Sequence, residues 1–151
     1  MQKEDLINII KEELTPLGFK KKGNFWILKG NEITKYLRIQ KSQWSNLFYI
    51  YYGYILENLR TDDDSNSYEK GFNTRVFDEE GNRLNILDFE NNLDKIYRIN
   101  EIRKVIKDNV ITNFTEVNTE EDVLADIKKL TSLNLVFLSP EWVGVVILGT
   151  I

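Results

Sequence analysis

The sequence predicts a single α+β domain spanning residues 1–151, with an antiparallel sheet of about 4–5 strands and with an N-terminal helix and C-terminal helices packed against it. Three observations carry that reading. Apolar residues recur at three- and four-residue spacing at the start of the chain and again beyond residue 93. Between those stretches stand short runs rich in β-branched and aromatic residues, separated by Gly/Asn turns. No Pro- or Gly-rich linker divides the chain, and 151 residues that are 42% hydrophobic and 29% charged suffice for one ordinary core.

The elements follow in order. Leu6, Ile9, Ile10, Leu14 and Leu17 lie on one helical face with charged residues between them, and Pro16 with Gly18 ends that helix. F-W-I-L-K (25–29) and I-T-K-Y-L-R-I-Q-K (33–41) flank a G-N-E turn and read as a hairpin, with Leu37 and Ile39 on one face and Tyr36, Arg38 and Gln40 on the other. F-Y-I-Y-Y-G-Y-I-L (48–56) is then the third strand, with Phe48, Ile50, Tyr52, Tyr54 and Leu56 on one face and Tyr49, Tyr51, Gly53 and Ile55 on the other. A strand that is apolar on both faces belongs in the middle of a sheet. Residues 57–70 read as a long polar loop, 71–77 as a short strand, 78–82 as a turn, and R-L-N-I-L (83–87) is placed to pair back. Leu93, Ile96, Tyr97, Ile102, Val105 and Ile106 fit helical spacing broken near Ile99 or Asn100, which predicts one long helix or two short ones. Thr119 and Asp122 form a capping-box-like start for a helix reaching about Leu130, and residues 140–151 fit either a helix or a strand.

Composition removes several chemistries. The chain has no histidine and no cysteine, which excludes disulfides, thiolate catalysis, Ser-His pairs and ordinary zinc sites. D-D-D-S-N (62–66) opens like a calcium loop, but Ser67 stands where glycine is needed and Asn73 where a bidentate glutamate is needed. Asp126-Ile127-Lys128 has the D-x-K spacing of nucleases yet falls inside a predicted helix without an acidic partner. There is no nucleotide-binding glycine loop. We therefore expect no metal, no cofactor and no catalytic residue. Lys20-Lys21-Lys22 beside aromatic strands invites a nucleic-acid reading, but the net charge of −4 favours solvated lysines at a helix-to-strand corner, where they discourage edge pairing, so nucleic acid is disfavoured as a partner. Charge is uneven: residues 1–60 hold ten basic and six acidic side chains, residues 61–151 ten and eighteen. The N-terminus lacks an uninterrupted apolar run, and Ser139, Pro140 and Glu141 break the apolar C-terminal stretch into pieces too short for a membrane span, so a cytoplasmic protein is expected.

L14-T-P-L-G-F-K-K-K-G23 followed by F25-W, and then I39-Q-K-S-Q-W-S-N-L-F-Y-I50 with Gly53, resembles the signature region of the bacterial family called domain of unknown function 4304. The resemblance covers residues 6–56 and implies an α+β fold. The family carries no established activity, so it implies no catalytic residue.

Two functions follow as expectations. The first is a non-enzymatic protein-binding module of the immunity or inhibitor type, using aromatic side chains of the sheet and the loop carrying Asp62, Asp63 and Asp64 against a basic partner. The alternative is a small-molecule-binding or catalytic domain on the sheet face that carries Arg38, Gln40, Tyr49 and Tyr51. A homodimer joined through the apolar C-terminal run is a further outcome. Gln43 and Trp44 lie in the connection between strands, where Trp44 is either an exposed anchor or, the reading favoured because tryptophan is buried on average, a lid on the sheet edge.

Overall fold

The computed structural model describes residues 1–59, 71–76, 84–132 and 136–137. Six strands form one antiparallel sheet in sequence order: β1 (Lys20–Lys22), β2 (Phe25–Leu28), β3 (Ile33–Lys41), β4 (Phe48–Leu56), β5 (Phe72–Arg75) and β6 (Val136–Phe137). The sheet is a meander in which each strand pairs with the next, so Phe48–Leu56 is the fourth strand and not the third. The extra strand is Lys20–Lys22, whose three exposed lysines sit on the sheet edge, where charge discourages pairing with another chain.

Helix α1 (Lys3–Leu14) starts at a capping box between Gln2 and Asp5 and buries Leu6, Ile9, Ile10 and Leu14. Thr15–Leu17 tightens into a 3₁₀ turn that Gly18 ends at φ 94°, a left-handed conformation that favours glycine. Leu17, expected on the buried face, is exposed because that turn rotates it away from the helix stripe.

The helices α1, α2 (Lys95–Val105), α3 (Thr112–Glu116) and α4 (Glu120–Ser132) build the core against one face of the sheet. That face presents Trp26, Leu37, Ile39, Phe48, Ile50, Tyr52, Tyr54, Leu56 and Phe72. The alternation read along Phe48–Leu56 holds, and β4 lies between β3 and β5 as its two apolar faces require.

No break occurs at Ile99 or Asn100. The chain runs helically through α2, a six-residue π segment (Ile106–Ile111) and α3. The buried residues explain the π segment: Arg98, Ile102, Ile106, Val110 and Phe114 recur at steps of four. At about 100° per residue, each step of four overshoots an α-helical turn by about 40°, so an unbroken α-helix would carry the stripe out of the core. The wider i→i+5 turn absorbs the excess, and Thr112 closes it with its N–H on the Lys107 carbonyl. Asn85–Leu87 forms a 3₁₀ turn rather than a returning strand, and Leu87 is buried there. The capping box of α4 forms as read: Asp122 N–H donates to Thr119 Oγ1 at 3.1 Å, and Thr119 N–H donates to Asp122 Oδ2 at 3.0 Å.

Candidate functional site

The β3–β4 connection, Ser42–Leu47, is short and held along its length. Ser42 N–H donates to the Leu47 carbonyl at 2.8 Å, and Trp44 N–H donates to Ser42 Oγ at 3.2 Å. Leu47 bridges to Asp88, Asn46 N–H donates to Glu90 Oε1 at 3.1 Å, and Phe89 N–H donates to the Asn46 carbonyl at 3.0 Å. The segment that receives these bonds is fixed by Arg98, a buried side chain of α2. Its guanidinium donates to the carbonyls of Ile86 at 2.9 Å, Asp88 at 2.6 Å and Asn91 at 3.1 Å, and also to Asn91 Oδ1. Its Cζ lies 5.3 Å from the centre of the Phe89 ring. One buried cation thus ties α2 to residues 86–91, and those residues tie down the loop.

On this held backbone Trp44 projects with 91% of its surface exposed. The lid expected from average tryptophan burial is overturned: the hydrogen bonds that fix the loop leave its ring nothing to cover. Gln43 beside it is exposed too. The segment that anchors the loop continues into Leu93, Ile96 and Tyr97, of which Ile96 is 70% and Tyr97 52% exposed. Asp94 caps α2 by accepting from Tyr97 N–H at 2.9 Å. Sequence reasoning placed Leu93, Ile96 and Tyr97 in one helical pattern with Ile102, Val105 and Ile106, without separating a buried side from an exposed one. The signal that separates them from the core stripe is the four-residue step from Arg98 onward, which leaves positions 96 and 97 on the outer side.

The second face of the sheet carries the other predicted residues. The register sets Phe25, Arg38, Tyr51 and Arg75 in one row, with Gln40 opposite Tyr49 in a neighbouring row. The Arg38 guanidinium stacks 4.4 Å from the centre of the Tyr51 ring, and Arg75 lies 4.7 Å from Tyr49 and 5.5 Å from Tyr51. Tyr51 is therefore a buried support between two arginines, not an open contact ring, while Tyr49 is half-buried and Gln40 exposed. Behind them Tyr36 reaches across the sheet and its hydroxyl donates to the Phe72 carbonyl at 3.1 Å. The β4–β5 pairing there demands glycine, since a Cβ on Gly53 would lie 1.8 Å from the same carbonyl oxygen. Asp62, Asp63 and Asp64 lie outside the described residues.

On the helix side, Asn113 donates from Nδ2 to the Tyr52 hydroxyl at 3.0 Å. The Tyr54 hydroxyl and Asp126 Oδ2 are buried and have no hydrogen-bond partner among the described residues. Burial pushes both tyrosine hydroxyls upward, with the Asp126 charge adding to the effect, and burial likewise raises the Asp126 carboxyl above its ordinary value. Lys35 is pulled down by burial, and its ammonium donates to Asn118 Oδ1 at 2.9 Å and to the Phe114 carbonyl. Asp126 turns inward while Lys128 lies exposed, because residues two apart on a helix point to different sides. The D-x-K spacing therefore does not set Asp126 and Lys128 on one side of the helix. Among the described residues no group of three side chains is arranged to hold a metal ion, and no helix is long and apolar enough to cross a membrane.

No curated protein and no solved structure matches the chain. Residues 10–130 match the sequence model of the family described as Domain of unknown function (DUF4304), well beyond the segment 6–56 that carried the resemblance. The match takes in the sheet from β1 to β5, the β3–β4 loop with Trp44, and the helices that hold it, and the chain is a member of the DUF4304 family.

Proposed function

We propose that this protein is a protein-binding module whose contact surface is built from Trp44 of the β3–β4 loop with Leu93, just before α2, and Ile96 and Tyr97 in its first turn. The observation that carries the reading is a tryptophan that is 91% exposed on a loop whose backbone is bonded both to itself and to residues 88–90. An exposed indole on a mobile loop would lose much of its contact energy to ordering; a held loop meets that cost during folding. Tryptophan and tyrosine are the residue types that dominate interface energetics, and exposed large apolar side chains on a held backbone suit a contact site. The inhibitor-type role belongs to this reading through Asp62, Asp63 and Asp64, whose charge would speed association with a basic partner.

The test is a comparative pull-down from the native host with wild type, Trp44→Ala and Ile96→Asp, each checked for an unchanged melting temperature. A partner held by wild type should be weakened by about 2 kcal/mol or more by Trp44→Ala. Equal retention by all three proteins would overturn this surface as the contact.

A further inference from the structure

We propose that the second face of the sheet holds an anion-binding site for the phosphate or carboxylate group of a small organic anion, built from Arg38 with Gln40, Tyr49 and Tyr51. The site is separate from the Trp44 contact surface and does not depend on it.

The strands supply the electrostatics. Lys20, Lys21 and Lys22 in β1, Lys35, Arg38 and Lys41 in β3 and Arg75 in β5 are basic, and none of β1 to β5 contains an aspartate or glutamate. The register puts Lys20, Lys22, Arg38 and Arg75 on the second face, while Glu57, just past β4, accepts from Thr34 Oγ1 at the end of that face away from Gln40.

Arg38 supplies the specific donor. Its guanidinium is held 4.4 Å over the Tyr51 ring, and among the described residues none accepts a hydrogen bond from it. The ring fixes the plane of the fork without using any N–H, because the stacking attraction acts through the face of the guanidinium. A half-buried cation has lost part of its hydration, and a stacked ring returns only part of that loss. What remains is a planar set of donors whose natural complement is the two oxygens of a carboxylate or phosphate.

The neighbours fit the same ligand. Gln40 lies two residues along β3 on the same face, Tyr49 stands directly opposite Gln40, and Tyr51 stands opposite Arg38. Cross-strand neighbours have Cβ atoms about 5 Å apart, so the Gln40 and Tyr49 side chains flank the Arg38–Tyr51 stack on the same face. Gln40 and Tyr49 likewise engage no hydrogen-bond partner among the described residues.

The experiment is an NMR titration of the full chain, following the Arg38 side-chain N–H and the backbone amides of β3 and β4. Inorganic phosphate and succinate are the two probes, in separate arms, with sodium chloride as the ionic-strength control. Saturable shifts centred on Arg38 are expected in at least one arm; the arm that saturates identifies the group. Arg38→Gln should weaken binding by about tenfold or more, and Arg38→Lys should restore only part of it because the fork is lost. Tyr49→Phe, at a half-buried position, leaves the fold in place and should weaken binding severalfold. Shifts that do not saturate, that chloride reproduces, or that persist at full strength in both Arg38→Gln and Tyr49→Phe would overturn the site.

Discussion

Trp44 and Tyr54 show how differently one residue class can be used. Trp44 makes its contacts with water, so Trp44→Ala should leave chemical-denaturation stability within about 0.5 kcal/mol of wild type while weakening the proposed partner contact. Tyr54 is fully buried and its hydroxyl meets no acceptor among the described residues. Deleting an unsatisfied buried hydroxyl removes a desolvation cost, so Tyr54→Phe should be neutral or stabilising by up to about 1 kcal/mol in the same measurement. Asp126 adds a pH signature. Burial raises its carboxyl above the ordinary 3.8, so between that value and the raised one the folded state keeps a proton that the unfolded state has lost. Stability from this group falls as pH rises through that window and stays lower above it. Asp126→Asn should therefore melt higher than wild type at pH 7, with the advantage gone below pH 3.8; an equal difference at both pH values would refute the assignment. Asp5 and Asp122 act with the opposite sign: bonds from the Gln2 backbone, and from the Asn118 and Thr119 backbones, hold them below the ordinary range. Their contribution is present above the unfolded value and is lost on acidification, in wild type and variant alike.

At the scale of elements, Arg98 fixes where the Trp44 loop stands and Gly53 how closely β5 pairs with β4. Arg98→Leu would leave three backbone carbonyls without their donor, and should cost about 3 kcal/mol in a denaturation curve. Hydrogen exchange should rise first in residues 86–91 and then in the Ser42–Leu47 loop that they hold, while the far end of α1 keeps its protection. Gly53→Ala forces a methyl group to 1.8 Å from the Phe72 carbonyl, so β5 must separate from β4. The expected loss exceeds about 4 kcal/mol, read as failure to recover folded protein or a collapsed melting transition. The helical region argues the same point by register: steps of four from Arg98 to Phe114 are compatible with one buried face only because the π segment widens the turn.

Across the whole molecule, the antiparallel sheet, the N-terminal helix and the C-terminal helices were legible because each depends on short-range pattern. Period two along Phe48–Leu56 and the spacing of Leu6, Ile9, Ile10 and Leu14 are local consequences of backbone geometry, as is the Thr119–Asp122 cap. The absence of histidine and cysteine likewise bounded the chemistry without any coordinates. The edge strand Lys20–Lys22 was not legible, since three lysines have no strand preference of their own and become a strand only when β2 offers a ladder to pair with. Nor was the placement of Trp44. Whether an aromatic ring is covered depends on what packs beside it, and here Arg98 and residues 86–91, distant in sequence, spend their contacts on the loop backbone and leave the indole in water. The same holds for Arg38 and Tyr51: alternation put them on one face, but only the pairing of β3 with β4 set the guanidinium on the ring. The sequence by itself determined the class of fold, the strand faces and the excluded chemistries, because these follow from nearest-neighbour geometry and residue type. The tertiary structure alone decided which side chains are held, stacked or exposed, because those depend on contacts between residues far apart in the chain.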